Sequence, residues 1–174
     1  MNVLIVGQGG REHAMAWKLS LSNKVDTVYV APGNGGTANE NKCINIDIAV
    51  NDFLALEKLV TEKEINLIVI GPEDPLVNGI KDHFQNKNVK VFGPDKAGAK
   101  LEGSKIYAKK FMFENDIPTG RAEFFSDANL AKKYINTTDF PIVLKADGLA
   151  AGKGVFVTKD PQEATQWIED VMNK

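Results

Sequence analysis

The chain has 174 residues, of which 43% are hydrophobic and 25% are charged, and its formal net charge is −2 at pH 7. This composition is typical of a globular protein with one domain, or with one domain and part of another. The small negative charge provides no basic field for nucleic acid, and no apolar run approaches the length of a membrane span.

The N-terminal residues begin directly with an apolar strand and have neither a basic region nor a small-residue cleavage site, so we do not expect a signal peptide. Cys43 is the only cysteine, which excludes an internal disulfide. Both features predict a cytoplasmic protein. We interpret Cys43 as a small core residue, because it has no recognisable catalytic partner.

Short apolar strands alternate with helical segments along the first hundred residues. The predicted strands lie at residues 3–6, 27–30, 44–48, 67–70 and 89–92, and the predicted helices at residues 14–21, 52–63 and 76–84. Strands and helices that alternate at short intervals favour a parallel sheet with helical crossovers. We therefore predict an α/β fold with a doubly wound parallel sheet, as an N-terminal domain at residues 1–100.

The rest of the chain is predicted to form a helical connection and a smaller subdomain. In the connection, residues 101–121, Ser104 is a plausible cap for a helix at residues 105–115. The partial subdomain, residues 122–174, contains a strand, a helix, a glycine-rich hairpin and a last helix. The first strand is predicted at residues 122–125, the next helix at 127–135, and the last helix at 162–172 after Pro161.

Two apolar runs flank the small-residue loop of the hairpin. Residues 141–145 end in Lys145, residues 155–158 form the returning run, and the loop contains a second lysine, Lys153. Glycine-rich backbone can approach a ligand closely, and bare amides with ammonium groups suit a polyphosphate. The hairpin therefore predicts a flap over a nucleotide triphosphate, although a flexible hairpin with solvated lysines has the same pattern.

This hairpin does not match the P-loop motif. Only three residues separate Gly148 from Gly152, and Gly154 stands where the P-loop has a hydroxyl residue for magnesium. Two adjacent strands also differ from the strand, loop and helix of that motif. A flap between two strands is instead similar to the glycine-rich loop of ATP-grasp ligases.

Three loops follow strands of the predicted parallel sheet, at residues 7–13, 31–37 and 71–75. Ligands of open α/β sheets bind beyond the carboxyl ends of the strands. The first loop departs from the dinucleotide fingerprint, because Glu12 replaces its last glycine and no acidic residue follows the second strand. A nicotinamide cofactor is therefore not expected.

The first loop can still bind a single phosphate. Gly9, Gly10 and Arg11 offer backbone amides, the positive end of a helix dipole and a guanidinium group. A turn that needs glycine only for packing would have the same sequence, so the pattern alone leaves both interpretations open.

The third loop contains the adjacent carboxylates Glu73 and Asp74. Carboxylates accept hydrogen bonds from ribose hydroxyls or from an amine. Asp74 can alternatively cap a helix that begins near Pro75.

The two histidines give no support for acid–base or nucleophilic catalysis. We interpret His13 as a packing or hydrogen-bonding residue and His83 as a surface residue. No set of His, Cys, Asp or Glu residues has the spacing of metal ligands.

Six segments, taken in order, closely resemble the phosphoribosylamine–glycine ligase family of ATP-grasp enzymes. They include Gly-Gly-Arg-Glu-His at residues 9–13, Gly-Pro-Glu-Asp-Pro at 71–75, Glu-Gly-Ser-Lys at 102–105 and Lys-Ala-Asp-Gly-Leu-Ala-Ala-Gly-Lys-Gly at 145–154. The six segments lie at residues 3–13, 31–37, 71–77, 92–94, 101–105 and 145–155, so the resemblance runs over the whole chain. It implies an enzyme of de novo purine synthesis. Such an enzyme uses ATP to convert glycine to an acyl phosphate, which the amine of 5-phosphoribosylamine attacks to give glycinamide ribonucleotide, ADP and phosphate.

The resemblance also implies roles for individual residues. The ATP phosphates would be bound by two lysines and the flap: Lys105, Lys145, Gly148, Gly152, Lys153 and Gly154. Phosphoribosylamine would be bound by the first-domain loops: Gly9, Gly10, Arg11 and Glu73. No catalytic residue and no metal ligand is assigned within the chain, because the family's Mg²⁺ ligands are expected beyond residue 174.

The family continues into the second half of the ATP-grasp fold and a C-terminal domain. We therefore expect this chain to be an N-terminal fragment that has no ligase activity by itself. Two alternatives are a non-catalytic module that binds a phosphosugar or nucleotide, and another ATP-grasp carboxylate–amine ligase. A dehydrogenase is the least favoured alternative.

Overall fold

The computed structural model describes residues 1–150 and 154–173. These residues form two compact units, Met1–Gly103 and Ser104–Lys174. The predicted α/β fold with a parallel sheet is confirmed in the first unit. None of the helices among the described residues is long and apolar enough to cross a membrane.

Five parallel strands form the sheet of the first unit, in the order β3-β2-β1-β4-β5. The strands are β1 (Asn2–Gly7), β2 (Thr27–Pro32), β3 (Cys43–Asn45), β4 (Ile65–Ile70) and β5 (Lys90–Phe92). The central strand β1 pairs with β2 on one side and with β4 on the other. Because helices cover both faces of such a sheet, the four apolar residues in the middle of β1 are completely buried.

A short 3-10 helix (Thr37–Asn39) and five α-helices accompany this sheet: α1 (Gly10–Ser20), α2 (Phe53–Glu62), α3 (Glu73–Val77), α4 (Ile80–Phe84) and α5 (Lys96–Gly103). Alternate residues of β1 point to opposite faces of the sheet. Leu4 therefore joins the core cluster that contains Leu56 and Phe84, whereas Val3 joins the cluster that contains Ala16. Cys43 packs at the edge of the second cluster, as expected for a small core residue, and burial raises the pKa of its thiol.

Two predictions for this unit are wrong. The single helix predicted at residues 76–84 is divided into α3 and α4, because Gly79 adopts a left-handed conformation with φ of 92°. Asp74 does not cap a helix, since α3 already begins at Glu73. The Asp74 carboxylate instead accepts hydrogen bonds from the side-chain amides of Asn51 and Asn78.

The second unit contains α6 (Lys105–Glu114), α7 (Ala128–Ile135), β6 (Ile142–Lys145), β7 (Val155–Thr158) and α8 (Pro161–Met172). Strands β6 and β7 are antiparallel, as expected for the hairpin. The predicted cap of α6 is confirmed, because the Ser104 side chain accepts a hydrogen bond from the Tyr107 amide at 3.1 Å. Pro161 occupies the start of α8, as predicted.

The strand predicted at residues 122–125 does not form. In the described part of the second unit, the only sheet is the two-stranded hairpin, and these residues pair with neither strand. Phe125 instead packs against the apolar cluster that joins α7 and α8, which includes Ile135 and Ile168. Its apolar character therefore reflects helix packing rather than strand pairing.

Candidate functional site

The carboxyl ends of β1 and β4 bring two of the three predicted loops together. Val6 pairs with Ile70, and the Gly71 amide donates a hydrogen bond to the Val6 carbonyl at 3.0 Å. As a result, Arg11 Nη2 lies 3.4 Å from Glu73 Oε2. Two residues that the sequence placed in separate loops are thus neighbours in the structure.

Arg11 and Glu73 line an open cavity with a volume of about 470 Å³. The rest of its lining comes from the loop and helix that follow β4 and from the segment around α5: Gly71, Leu76, Pro94, Gly98, Ala99, Leu101 and Glu102. The side formed by Arg11 and Glu73 is therefore charged, and the side formed by α5 combines apolar residues with the carboxylate of Glu102. A small polar molecule with an apolar ring face, such as a sugar, suits such a lining.

The N-terminus of α1 lies beside this cavity, because Arg11 in its first turn is one of the lining residues. Gly9 is the residue before the first helical turn, and its amide donates a hydrogen bond to Glu12 Oε2 at 2.6 Å. The Gly9 amide is therefore already satisfied within the protein. Gly10 follows at the start of the helix, where backbone amides have no intrahelical partner, and the space beside its Cα is open.

Glu12 is a buried acidic residue that sequence reasoning did not assign to the site. Glu12 is only 3% exposed, and its side chain fills the space between Gly7 and Gly71. A Cβ atom at Gly71 would lie 2.1 Å from Glu12 Oε1, and one at Gly7 would lie 2.5 Å from Glu12 Cγ. The sequence feature that could have drawn attention to this residue is that Glu12 replaces the last glycine of the dinucleotide fingerprint.

The second predicted loop is held against the first by hydrogen bonds. The Asn34 side-chain amide donates to the Gln8 carbonyl at 2.9 Å, and Asn34 Oδ1 accepts from the Gly36 and Thr37 amides. His13 Nε2 lies 2.8 Å from Glu40 Oε1, so the interpretation of His13 as a hydrogen-bonding residue is confirmed. All three loops therefore meet at the same edge of the sheet.

His83 lies elsewhere, at the surface but only partly exposed, and it makes contacts that the sequence did not predict. Its Nε2 atom lies 2.8 Å from Glu57 Oε2, and its ring packs against Phe84. Lys87 also donates to Glu57, and the hydrogen bonds from Lys87 and His83 together hold the pKa of the Glu57 carboxyl below its usual value. This cluster joins α2 to α4 and is separate from the cavity.

The second unit contains the predicted phosphate-binding lysines. Lys145 is the last residue of β6 and pairs with Val155 on the exposed face of the hairpin. Lys105, at the start of α6, donates a hydrogen bond from Nζ to the Gly148 carbonyl at 2.7 Å. The structure thus brings Lys105 to the loop of the hairpin.

The loop itself is only partly described. Gly148 has a φ of 90°, which favours glycine, and the Gly154 carbonyl accepts a hydrogen bond from the Ala146 amide at 2.8 Å. Gly152 and Lys153, which were predicted to bind ATP, lie outside the described residues.

Asp147 anchors the start of this loop and was not assigned to the site from the sequence. Its carboxylate accepts hydrogen bonds from the Ser104 hydroxyl at 3.0 Å and from the Ile106 amide at 3.2 Å. Burial by itself raises the pKa of Asp147. The hydrogen bonds to its carboxylate lower the pKa, and the bond from the Ile106 amide has the largest lowering effect. Together the hydrogen bonds outweigh burial, so the pKa lies below its usual value. The carboxylate therefore stays ionised at the N-terminus of α6.

The described residues contain no group of three or more His, Cys, Asp or Glu side chains that could hold a metal ion.

Comparison with protein families gives two matches that follow each other along the chain. Residues 1–102 match "Phosphoribosylglycinamide synthetase, N domain", and residues 103–174 match "Phosphoribosylglycinamide synthetase, ATP-grasp (A) domain". The resemblance to this family that the sequence motifs indicated is thereby confirmed.

Curated relatives carry the name phosphoribosylamine–glycine ligase. The protein of Haemophilus influenzae is 49% identical over 173 residues, which are 99% of this chain and 40% of the relative. The protein of Nostoc sp. is 48% identical over 171 residues, which are 98% of this chain and 40% of the relative. The chain thus spans about 40% of the length of these curated relatives.

Solved structures agree with this assignment. The crystal structure of phosphoribosylamine–glycine ligase from Thermotoga maritima aligns with a TM-score of 0.73 and 35% identity, over 95% of this chain and 38% of the other. The biotin carboxylase domain of Hydrogenobacter thermophilus 2-oxoglutarate carboxylase, in complex with MgADP, aligns with a TM-score of 0.77 over 99% of this chain and 40% of the other. At 18% identity, the second similarity shows the fold alone. Because the two family matches together cover the whole sequence, the chain belongs to the phosphoribosylglycinamide synthetase family.

Proposed function

We propose that this protein acts in the ATP-dependent ligation of glycine to 5-phosphoribosylamine, which yields glycinamide ribonucleotide, ADP and phosphate through a glycyl phosphate. The observation that carries the proposal is the meeting of Arg11 and Glu73 at an open cavity beyond the carboxyl ends of the parallel strands. Ligands of open α/β sheets bind at this edge. The membership of the chain in the synthetase family identifies which ligand to test.

In this proposal the first unit binds 5-phosphoribosylamine. Glu73, whose side chain is 44% exposed, accepts hydrogen bonds from ribose hydroxyls or from the amine. The Arg11 guanidinium and the amide at Gly10 meet the phosphate, as the N-terminus of a helix favours an anion. Gly9 contributes by shaping the turn, because its own amide already binds Glu12.

The second unit contacts the phosphates of ATP in this proposal. Lys105 and Lys145 supply ammonium groups, and Gly148 and Gly154 belong to the loop that approaches the phosphates. Gly152 and Lys153 would belong to the same loop. Lys105 now donates to the Gly148 carbonyl, so ATP would exchange this contact for one with a phosphate oxygen.

Glycine and Mg²⁺ complete the proposed reaction, but no role for a described residue is assigned toward either of them. The excess of acidic over basic residues and the single cysteine support a cytoplasmic protein that binds neither nucleic acid nor membrane.

The activity is tested in the cells from which the gene comes. Extracts of a strain that lacks the gene should lose the ATP-dependent conversion of glycine and 5-phosphoribosylamine to glycinamide ribonucleotide, and a restored gene should return it. Unchanged formation of glycinamide ribonucleotide would contradict the proposed activity. It would then favour the alternative of a non-catalytic phosphosugar-binding module.

The assignment of the first unit is tested by titration calorimetry of the 174-residue chain with ribose 5-phosphate. Arg11→Ala should weaken binding by about tenfold, because a charge-assisted contact with phosphate contributes on the order of 1.4 kcal/mol or more. Lys58→Ala, which removes the same charge from an exposed position on α2, is the matched control and should bind normally. Equal affinities of the two variants would exclude Arg11 from the site.

A further inference from the structure

Glu12 is the only acidic or basic residue among the buried polar side chains of the described residues. It belongs to the first turn of α1, where side chains usually reach solvent, yet it is 3% exposed. Burial of a carboxylate is costly unless charge pairing and hydrogen bonds compensate for lost hydration. The contacts of Glu12 therefore indicate what the buried charge does.

One carboxylate oxygen of Glu12 fastens the turn that precedes α1. Its Oε2 atom accepts a hydrogen bond from the Gly9 amide at 2.6 Å, so the side chain reaches back across the first helical turn. The same side chain lies against Gly7 at the end of β1 and against Gly71 at the end of β4. One residue thus contacts both loops that form the charged side of the cavity.

The other carboxylate oxygen has no hydrogen-bond partner among the described residues. Glu12 Oε1 is buried, and the nearest described cation is Arg11, whose Nε atom lies at 3.7 Å. At its other end, Arg11 Nη2 lies 3.4 Å from Glu73 Oε2. Carboxylates from two different loops therefore lie close to one guanidinium group, Glu12 near its Nε atom and Glu73 near its Nη2 atom.

Arg11 needs such support, because its side chain is 69% exposed. A long exposed side chain samples many rotamers, and its immobilisation on binding costs affinity. A guanidinium that is already oriented over the cavity avoids part of that cost. The unpaired buried oxygen of Glu12 is thus explained by a role in orienting Arg11 rather than by stability alone.

We propose that Glu12 is a positioning residue, which fixes the α1 turn and orients Arg11 toward a phosphorylated sugar in the cavity. The proposal rests on the proposed function, since the ligand is the sugar phosphate assigned there. Glu12 does not touch this ligand. It acts through Arg11 and through the Gly9 amide.

The test compares Glu12→Gln and Arg11→Ala with the double variant, using calorimetric binding of ribose 5-phosphate to the 174-residue chain. Glu12→Gln keeps the size of the side chain and an acceptor for the Gly9 amide, but it places a neutral group beside Arg11. We expect affinity to fall about tenfold. The double variant should bind no more weakly than Arg11→Ala alone, because coupled residues do not contribute additively.

A purely structural role predicts a different pattern. The losses would then add in the double variant, and that result would overturn the proposal. Leu56→Ala controls for stability, because Leu56 is fully buried in the same unit but away from the cavity lining. This variant should unfold at a lower temperature and still bind ribose 5-phosphate with normal affinity.

A ligand-free measurement separates this proposal from the proposed function. Hydrogen exchange of the Arg11 Nε–H group, followed by NMR, should be faster in Glu12→Gln than in the unmodified chain. If the unmodified chain fails to bind ribose 5-phosphate, the proposed function is contradicted. An unchanged exchange rate would overturn the role of Glu12, whatever the ligand result.

Discussion

The side chain of Glu12 packs closely against two glycines, Gly7 and Gly71. The glutamate side chain occupies the space that a Cβ atom would need at Gly7 or at Gly71. The Gly71 amide also donates a hydrogen bond to the Val6 carbonyl, which restrains the backbone from moving away from Glu12. The buried glutamate therefore accounts for glycine at Gly71, whereas Gly7 also has a φ of 132°, which by itself favours glycine.

Gly71→Ala should destabilise the first unit by about 1–3 kcal/mol, because overpacking of a closely filled interior forces side chains or backbone to move. The new Cβ atom would lie 2.1 Å from Glu12 Oε1 and 2.4 Å from Glu12 Cγ. Chemical unfolding measures the loss. Gly35→Ala is the matched control, since a Cβ atom there would meet nothing within 4 Å.

The explanation depends on the glutamate, so a second substitution tests it. In a Glu12→Ala background, Gly71→Ala should cost much less, because the atoms that it meets are gone. An undiminished cost in that background would mean that the backbone at Gly71, and not Glu12, resists the added methyl group.

At the scale of elements, the sequence predicted most strands and helices because their apolar spacing is regular. The prediction of elements from the sequence was wrong where backbone conformation or packing against other elements decided the structure. Leu76, Ile80 and Phe84 have continuous helical spacing, but the left-handed conformation of Gly79 divides the helix. Residues 122–125 resemble a strand, yet they form none, and Phe125 packs against α7 and α8 instead.

The candidate site, like the secondary structure, could be predicted only in part from the sequence. The rule that ligands bind at strand ends placed the loops of Arg11 and Glu73 beyond the carboxyl ends of their strands. The family resemblance assigned both residues to one ligand, and the structure shows that they are neighbours. The contacts of Glu12 with Gly71 and of Asp147 with Ser104 join distant parts of the sequence. No local pattern encodes such contacts, so the structure was needed to reveal what these two carboxylates do, although Glu12 was already visible as a departure from the dinucleotide fingerprint.

The contact between the hairpin and α6 depends on the ionisation of Asp147. Hydrogen bonds from Ile106 and Ser104 lower the pKa of this carboxyl in the folded protein, against the raising effect of burial. A carboxyl whose pKa is lower in the folded state stabilises it at pH values above its unfolded pKa. This contribution is lost as the pH falls through the lower, folded pKa.

Asp147→Asn should therefore remove about 1 kcal/mol of stability at pH 7, the usual scale for a carboxylate at an exposed helix N-terminus. The difference from the unmodified chain should shrink as the pH falls from about 4, the ordinary aspartate pKa, through the lower pKa of Asp147 in the folded protein. Denaturant unfolding at a series of pH values measures both effects. Asp139→Asn, at an exposed position of the same unit, is the control. A difference that persists in acid would show that the charge of Asp147 is not responsible.

At the scale of the whole molecule, each compact unit has a core of its own. The two clusters that cover the faces of the parallel sheet consist only of residues in Met1–Gly103, and the cluster around α7 and α8 consists only of residues in Ser104–Lys174. The cavity that contains Arg11 and Glu73 is also lined only by residues of the first unit. Folding of the first unit and its proposed binding of a sugar phosphate should thus be separable from the second unit.

Residues 1–103, produced alone, should fold cooperatively and bind ribose 5-phosphate with an affinity close to that of the 174-residue chain. The physical reason is that the five-stranded sheet, its covering helices and the cavity lining are all retained. Circular dichroism during heating measures cooperativity, and calorimetry measures binding. Leu56→Ala in the same piece should cost about 2–5 kcal/mol, since it leaves a cavity in a fully buried core. A piece that unfolds without a cooperative transition would show that the first unit requires residues beyond Gly103.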